Sequence, residues 1–132
     1  MFRIIFGIFL GLHGMVHLLY AGQSWRLFEL QPGMSWPDGS WALARATGTD
    51  VIRLIATILL AAGALAYVVS GGALVLKQNW WRTFTQISAA ISTFTYLFFW
   101  NGTFQGLPNQ GAVGILINLA ILGITLWGVL GI

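Results

Sequence analysis

The sequence predicts an all-α membrane protein: an antiparallel bundle of four transmembrane helices whose long first loop caps one end. Three observations predict it. Of the 132 residues, 58% are hydrophobic and only 7% are charged, where a soluble domain carries roughly a quarter charged. Such a chain has too few polar groups to cover its own surface, so lipid must replace water around much of it. The apolar residues also gather into four runs, about 4–21, 51–76, 81–100 and 112–132. Each is close to the roughly 20 residues that cross a hydrocarbon core as a helix. Finally, the strict alternation of a membrane barrel is missing. The whole chain, 1–132, reads as one domain.

The first run is broken only by His13 and His17. Arg3 before it and Tyr20-Ala21-Gly22 after it have the form of a signal peptide, but the segment reads as a retained span. At 100° per residue, Ile5, Ile8, Leu12, Met15, Val16 and Leu19 form an unbroken apolar face. The two histidines lie opposite, one turn apart, beside a stripe of Gly7, Gly11 and Gly14 that permits close helix approach.

Loop one, residues 22–50, contains all three carboxylates: Glu29, Asp38 and Asp50. Trp25, Phe28, Leu30, Met34, Trp36 and Trp41 would be odd in a solvated linker. They suit an interfacial segment or a lid over the mouth of the bundle, with Trp36, Asp38 and Trp41 as its candidate residues. Pro32-Gly33 signals a turn, and Asp38 or Ser40 is placed to cap a short helix through Arg45.

The second run has Arg53 in its first turn, with Asp50 placed at i−3 to pair with it. An alternative is that Arg53 snorkels to the interface. Arg53, Thr57, Leu60, Ala64, Tyr67 and Gly71 follow at heptad spacing. A six-residue turn, 77–82, leads to the third run, where Thr85, Ser88, Ser92, Thr95 and Tyr96 share one side and Ile87, Ile91, Phe94 and Phe98 the other. Loop three, 101–111, is uncharged and rich in Gly and Asn. The fourth run aligns Gly114, Asn118, Ile121, Thr125 and Gly128. Every run thus has one small or polar stripe, and an up-down-up-down bundle places all four stripes inside. Trp80, Trp81 and Trp100 stand at run ends, as interfacial tryptophans do.

Four spans put both termini on one side. Three basic residues fall on each side: Arg3, Lys77 and Arg82 against Arg26, Arg45 and Arg53. The short Lys77–Arg82 turn has no acid on its side, which points the termini to the cytoplasm, with a prokaryotic-type plasma membrane as the expected location. The formal charge of +3 is too sparse for nucleic acid. Without cysteine, disulfide exchange is excluded.

The ionisable and amide side chains at membrane depth need partners or a cavity. His17, Asn118, Tyr96, Thr57 and Arg53 fall in the half of the bundle near loops one and three, with His13 deeper, and so form a candidate ligand-binding set. The same residues also fit an internal hydrogen-bond network that fixes helix register. A metal has little to hold it, because no carboxylate lies inside a span. Haem or chlorophyll could take one histidine axially. The i, i+4 pair on one helix cannot supply both axial ligands to one haem. No nucleophile motif is present, and only a histidine acting with Glu29 or Asp38 would give acid–base chemistry.

The layout resembles the DoxX-like small four-helix membrane proteins. The likeness rests on Arg3 before a Gly-rich first helix (Arg-Ile-Ile-Phe-Gly-Ile-Phe-Leu-Gly-Leu-His-Gly), a long first loop, and Gly111-Ala112-Val113-Gly114 opening the last helix. It implies a membrane subunit attached to an oxidoreductase, in some members connected with quinones, and assigns no role to any residue here. The sequence therefore supports an accessory or ligand-binding subunit holding a quinone, lipid or other amphiphile. Its alternatives are a purely structural subunit of a larger membrane complex, and a proton or small-solute transporter acting as a homo-oligomer.

Overall fold

A computed structural model describes residues 1–128. The chain forms four α-helices, α1 (Phe2–Ser24), α2 (Thr49–Val75), α3 (Trp81–Phe98) and α4 (Ala112–Trp127), with a 3₁₀ turn at Leu107–Gln110. No strand occurs among the described residues. The last positions expected in the fourth run, 129–132, lie outside the described residues. α1 and α2 are long and apolar enough to cross a membrane. α3 gives much of its length to Thr, Ser and Gln, and α4 is apolar over 16 residues.

Neighbouring helices run antiparallel. Along α1 and α2, Gly7 meets Gly71 and Val75, Gly14 meets Ala64 and Tyr67, and the Ser24 hydroxyl reaches the Arg53 carbonyl. The two backbones touch at Gly71, where an added Cβ would lie 2.5 Å from the Gly7 carbonyl oxygen. Small residues at the crossing are what allow that approach. Gly11, read as part of the same stripe, has open space beside it instead. α1 and α3 run parallel: Phe6 packs edge-on against Trp81, and Tyr20 against Tyr96. α4 returns along α3, with Gly114 against Tyr96 at one end and Arg82 beside Gly128 at the other.

The outer faces of the helices are apolar, unlike those of a water-soluble bundle. Ile5, Ile8 and Leu12 on α1, Ile58 and Leu65 on α2, Ile87 and Phe94 on α3, and Leu116 and Leu126 on α4 are all at least half exposed. The interior holds His13, His17, Ser70, Thr85, Ser88, Ser92, Thr95, Asn118 and Thr125, all buried, beside apolar side chains such as Leu10, Ile52, Leu60, Leu74 and Ile121. Several hydroxyls bond back to the carbonyl four residues earlier, as Thr85, Ser88, Thr95 and Thr125 do. Helical Ser and Thr can satisfy themselves in this way without water.

Loop one folds as a lid on the end of the bundle. Gln23, buried at the end of α1, pins it twice: the side-chain amide donates to the Met34 carbonyl and accepts from Leu30 N–H. Trp36, followed by a cis peptide to Pro37, is 1% exposed and packs with Tyr20, Tyr96 and Phe99. The helix expected through Arg45 does not form. Residues 41–46 make separate turns, and the side chains meant to cap that helix are engaged elsewhere. Ser40 donates to the Phe98 carbonyl, and Asp38 is held by two arginines.

Candidate functional site: a closed polar layer and a grooved end

The polar residues separate into two groups. The first is a layer across the middle of the bundle, to which all four helices contribute. Asn118 of α4 is its hub. Its side-chain oxygen accepts from Tyr67 Oη at 2.6 Å and from His13 Nε2 at 2.7 Å, and its Nδ2 donates to Ser92 Oγ at 2.8 Å. Ser92 lies 2.5 Å from His17 Nε2, and His17 Nδ1 lies 3.0 Å from the His13 carbonyl. With His17 neutral, the direction of each bond follows. A carbonyl can only accept, so His17 Nδ1 carries the hydrogen and its Nε2 accepts from Ser92. Each bond has one donor, and the chain from Tyr67 to His13 closes on itself without water. The rings pack as well, with His13 and Tyr67 centroids 4.7 Å apart and His13 and His17 5.1 Å apart.

Of the six residues read from the sequence, the structure brings His13, His17 and Asn118 into this layer. Tyr96 borders it, 5.7 Å from His17 by ring centroids, but its buried hydroxyl has no partner. Thr57 and Arg53 lie apart from it. Thr57 bonds to the Arg53 carbonyl, and Arg53 belongs to the lid. Tyr67 and Ser92 complete the layer and were not singled out as site residues. Their signal was their place on the inward stripes of α2 and α3. The Nε2 atoms of both histidines are engaged by protein, and the described residues hold no group of three or more His, Cys, Asp or Glu side chains.

The second group is the lidded end. Asp38 receives Arg53 through two bonds of 2.9 and 2.7 Å and Arg26 through one of 2.7 Å. Arg26 also donates to the carbonyls of Gln23, Ser35 and Trp36. Arg53 thus pairs with Asp38 in the loop rather than with Asp50 on its own helix, because the folded lid brings a two-oxygen partner to its planar fork. Trp41 neither plugs nor covers the mouth. It is 61% exposed, with its backbone N–H on the Trp100 carbonyl and its indole N–H on Leu97. Together with Ser40, it satisfies carbonyls that the end of α3 leaves without helical partners.

Two grooves flank this end. An apolar one of about 260 Å³ lies between the end of α3, loop three and the start of α4, lined by Leu97, Trp100, Phe104, Leu107, Ala112 and Ile115, with Gln110. A polar one of about 410 Å³ lies between the lid and loop three. Neither was legible beforehand, since both depend on how two loops fold against α3. Gly111 shapes the first: its φ is +84°, and a Cβ there would collide with the Tyr96 ring.

Compared with known proteins, the chain matches no family model, no curated protein and no solved structure.

Proposed function

We propose that this chain is a multi-pass integral membrane protein whose four helices all cross the bilayer. In this reading it serves as an accessory subunit holding an amphiphile, a quinone or other lipid, at the end built by loops one and three. The spanning assignment rests on the exposed aliphatic faces together with the hydrogen-bonded polar groups among the buried residues, an arrangement that suits lipid. The accessory role is the one implied by the DoxX-like layout. For orientation, the basic residues tie at three a side, but Lys77 and Arg82 lie in a short six-residue turn at the end that also has Arg3. That favours cytoplasmic termini.

The observation that carries ligand binding is the apolar groove. It is walled by aromatic and aliphatic side chains, among them the boundary tryptophan Trp100, with Gln110 as its one amide. An acyl or isoprenoid chain fits such a surface. The ligand would rest there rather than on the histidines, whose Nε2 atoms are already engaged. That closed layer favours a second reading, in which the polar interior only fixes helix register and the chain is a structural subunit.

Two experiments test these readings. The chain has no cysteine, so single cysteines report topology cleanly. Gln78→Cys and Asn109→Cys should react with an impermeant maleimide from opposite sides of the membrane; labelling from the same side would rule out four spans. For the ligand, Ala112→Phe should fill the groove and strip co-purifying quinone or lipid from the chain in mild detergent, whereas Leu65→Phe on the outer face should not. An unchanged lipid complement in Ala112→Phe would leave the structural reading.

A further inference from the structure

The polar groove beside the apolar one has the chemistry of a headgroup site. It is lined by Gly39, Ser40, Trp41, Ala44, Arg45 and Asn101, with no carboxylate among them. Arg45 differs from the other two arginines of the lid side: Arg26 and Arg53 share the Asp38 carboxylate, and Arg45 makes no ion pair among the described residues. Asn101 is oriented by its neighbour. Its Oδ1 accepts both the backbone N–H and the hydroxyl of Thr103, at 3.0 Å each, which leaves the amide Nδ2 as the donor that remains. Trp41 is fixed by its indole N–H bond to Leu97 yet keeps most of its surface exposed.

The two grooves flank the end of α3. Leu97 and Trp100 line the apolar one, and their carbonyls hold Trp41 of the polar one. A molecule lying across both would present its head to a guanidinium and an amide N–H, and its tail to Leu97, Trp100 and Phe104. A neutral quinone head would leave Arg45 without a counter-charge, and a cationic head would be repelled by it. Phosphate oxygens match a guanidinium fork and an amide donor.

We propose that Arg45, Asn101 and Trp41 form the headgroup site for a lipid bearing an anionic phosphate, whose tail lies in the adjoining apolar groove. This rests on the amphiphile-binding reading and names its ligand class.

The test is native mass spectrometry of the full chain, titrated with phosphatidylglycerol or phosphatidylcholine of matched acyl chains. The anionic lipid should be retained about fivefold over the zwitterionic one, the worth of roughly one well-placed cation near a membrane surface. Arg45→Gln should abolish that preference and Arg45→Lys keep most of it. Lys77→Asn, at the opposite end, should leave it intact. A preference that survives Arg45→Gln, or vanishes in Lys77→Asn, overturns the assignment. Equal retention of both lipids, lost together in Ala112→Phe, overturns the headgroup site but leaves amphiphile binding standing. Retention of neither lipid overturns both. Displacement of bound lipid by equimolar glycerol phosphate would show that the tail contributes nothing, and would overturn the lipid as ligand.

Discussion

The middle of the bundle and its lidded end both concentrate polar side chains, but they use them in opposite ways. In the middle, Tyr67, Asn118, Ser92, His17 and His13 direct their hydrogen bonds at one another, so the layer is complete within the chain. At the lidded end, Asp38, Gln23 and Ser40 tie the loop down, while Arg45 and the amide of Asn101 face a groove. The difference teaches where to look for function in a small helical protein of this kind. A buried histidine attracts attention because it is costly, yet its cost is already met here by neighbouring helices. Outside that layer, the buried hydroxyls of Tyr96 and Ser70 have no partner, and the donors that face a groove, Arg45 and Asn101, are at the rim.

This contrast can be broken or sharpened by mutation. The largest effect should come from the hub of the closed layer. Asn118→Leu leaves His13, Tyr67 and Ser92 each short of a partner in a dry interior, and should cost about 3 kcal/mol, since each stranded buried group costs roughly 1–3 kcal/mol before relaxation. Unfolding in mixed micelles measures it; a loss well under 1 kcal/mol would mean the layer is not what holds the helices together. Gly71→Ala comes next. Its methyl would press on the Gly7 backbone, and overpacking of this kind costs about 1–3 kcal/mol. The same unfolding assay should show it, and tolerance would mean the helices separate readily.

Asp38→Asn should be milder for the bundle and selective for the lid. The carboxylate and both arginines keep about a quarter of their side-chain surface exposed, so solvent screening limits the global cost to about 1 kcal/mol. Hydrogen exchange should accelerate across residues 26–41 while the Asn118 layer stays protected. If exchange rose equally in both regions, lid and layer would be one cooperative unit. The smallest effect belongs to Ser70→Ala. The Ser70 hydroxyl is buried without a partner, so its removal should be neutral or slightly stabilising. A clear destabilisation would reveal a hydrogen bond that the structure does not contain.

Much of the scaffold could be read from the residues. The four apolar runs match the helices to within a few residues at the ends described, and the inward stripes are buried, from Ser88, Ser92 and Thr95 to Asn118. Helix period and hydropathy are local properties, which is why they survive in the sequence. Pairings are not local. Asp50 sits one turn from Arg53 and looked like its partner, but Asp38 reaches it through a loop whose path is set by Gln23 and Trp36. Trp36 and Trp41 read alike as lid residues, yet one is buried in the core and the other exposed on the rim. Ser92 and Tyr67 stand on the inward stripes in the sequence, but their bonds to Asn118 join positions 26 and 51 residues apart. The grooves needed loop three as well, whose course turns on left-handed glycines at 106 and 111.

The central claim is that amphiphile binds at the lidded rim while the polar interior stays closed. Photo-crosslinking with a diazirine-bearing phosphatidylglycerol, followed by peptide mapping, tests it most directly. Adducts concentrated on residues 97–115, and reduced there by Ala112→Phe, are the predicted result. Adducts spread evenly over the outer faces at Ile8, Ile58 and Leu116, with no excess at the rim, would contradict it.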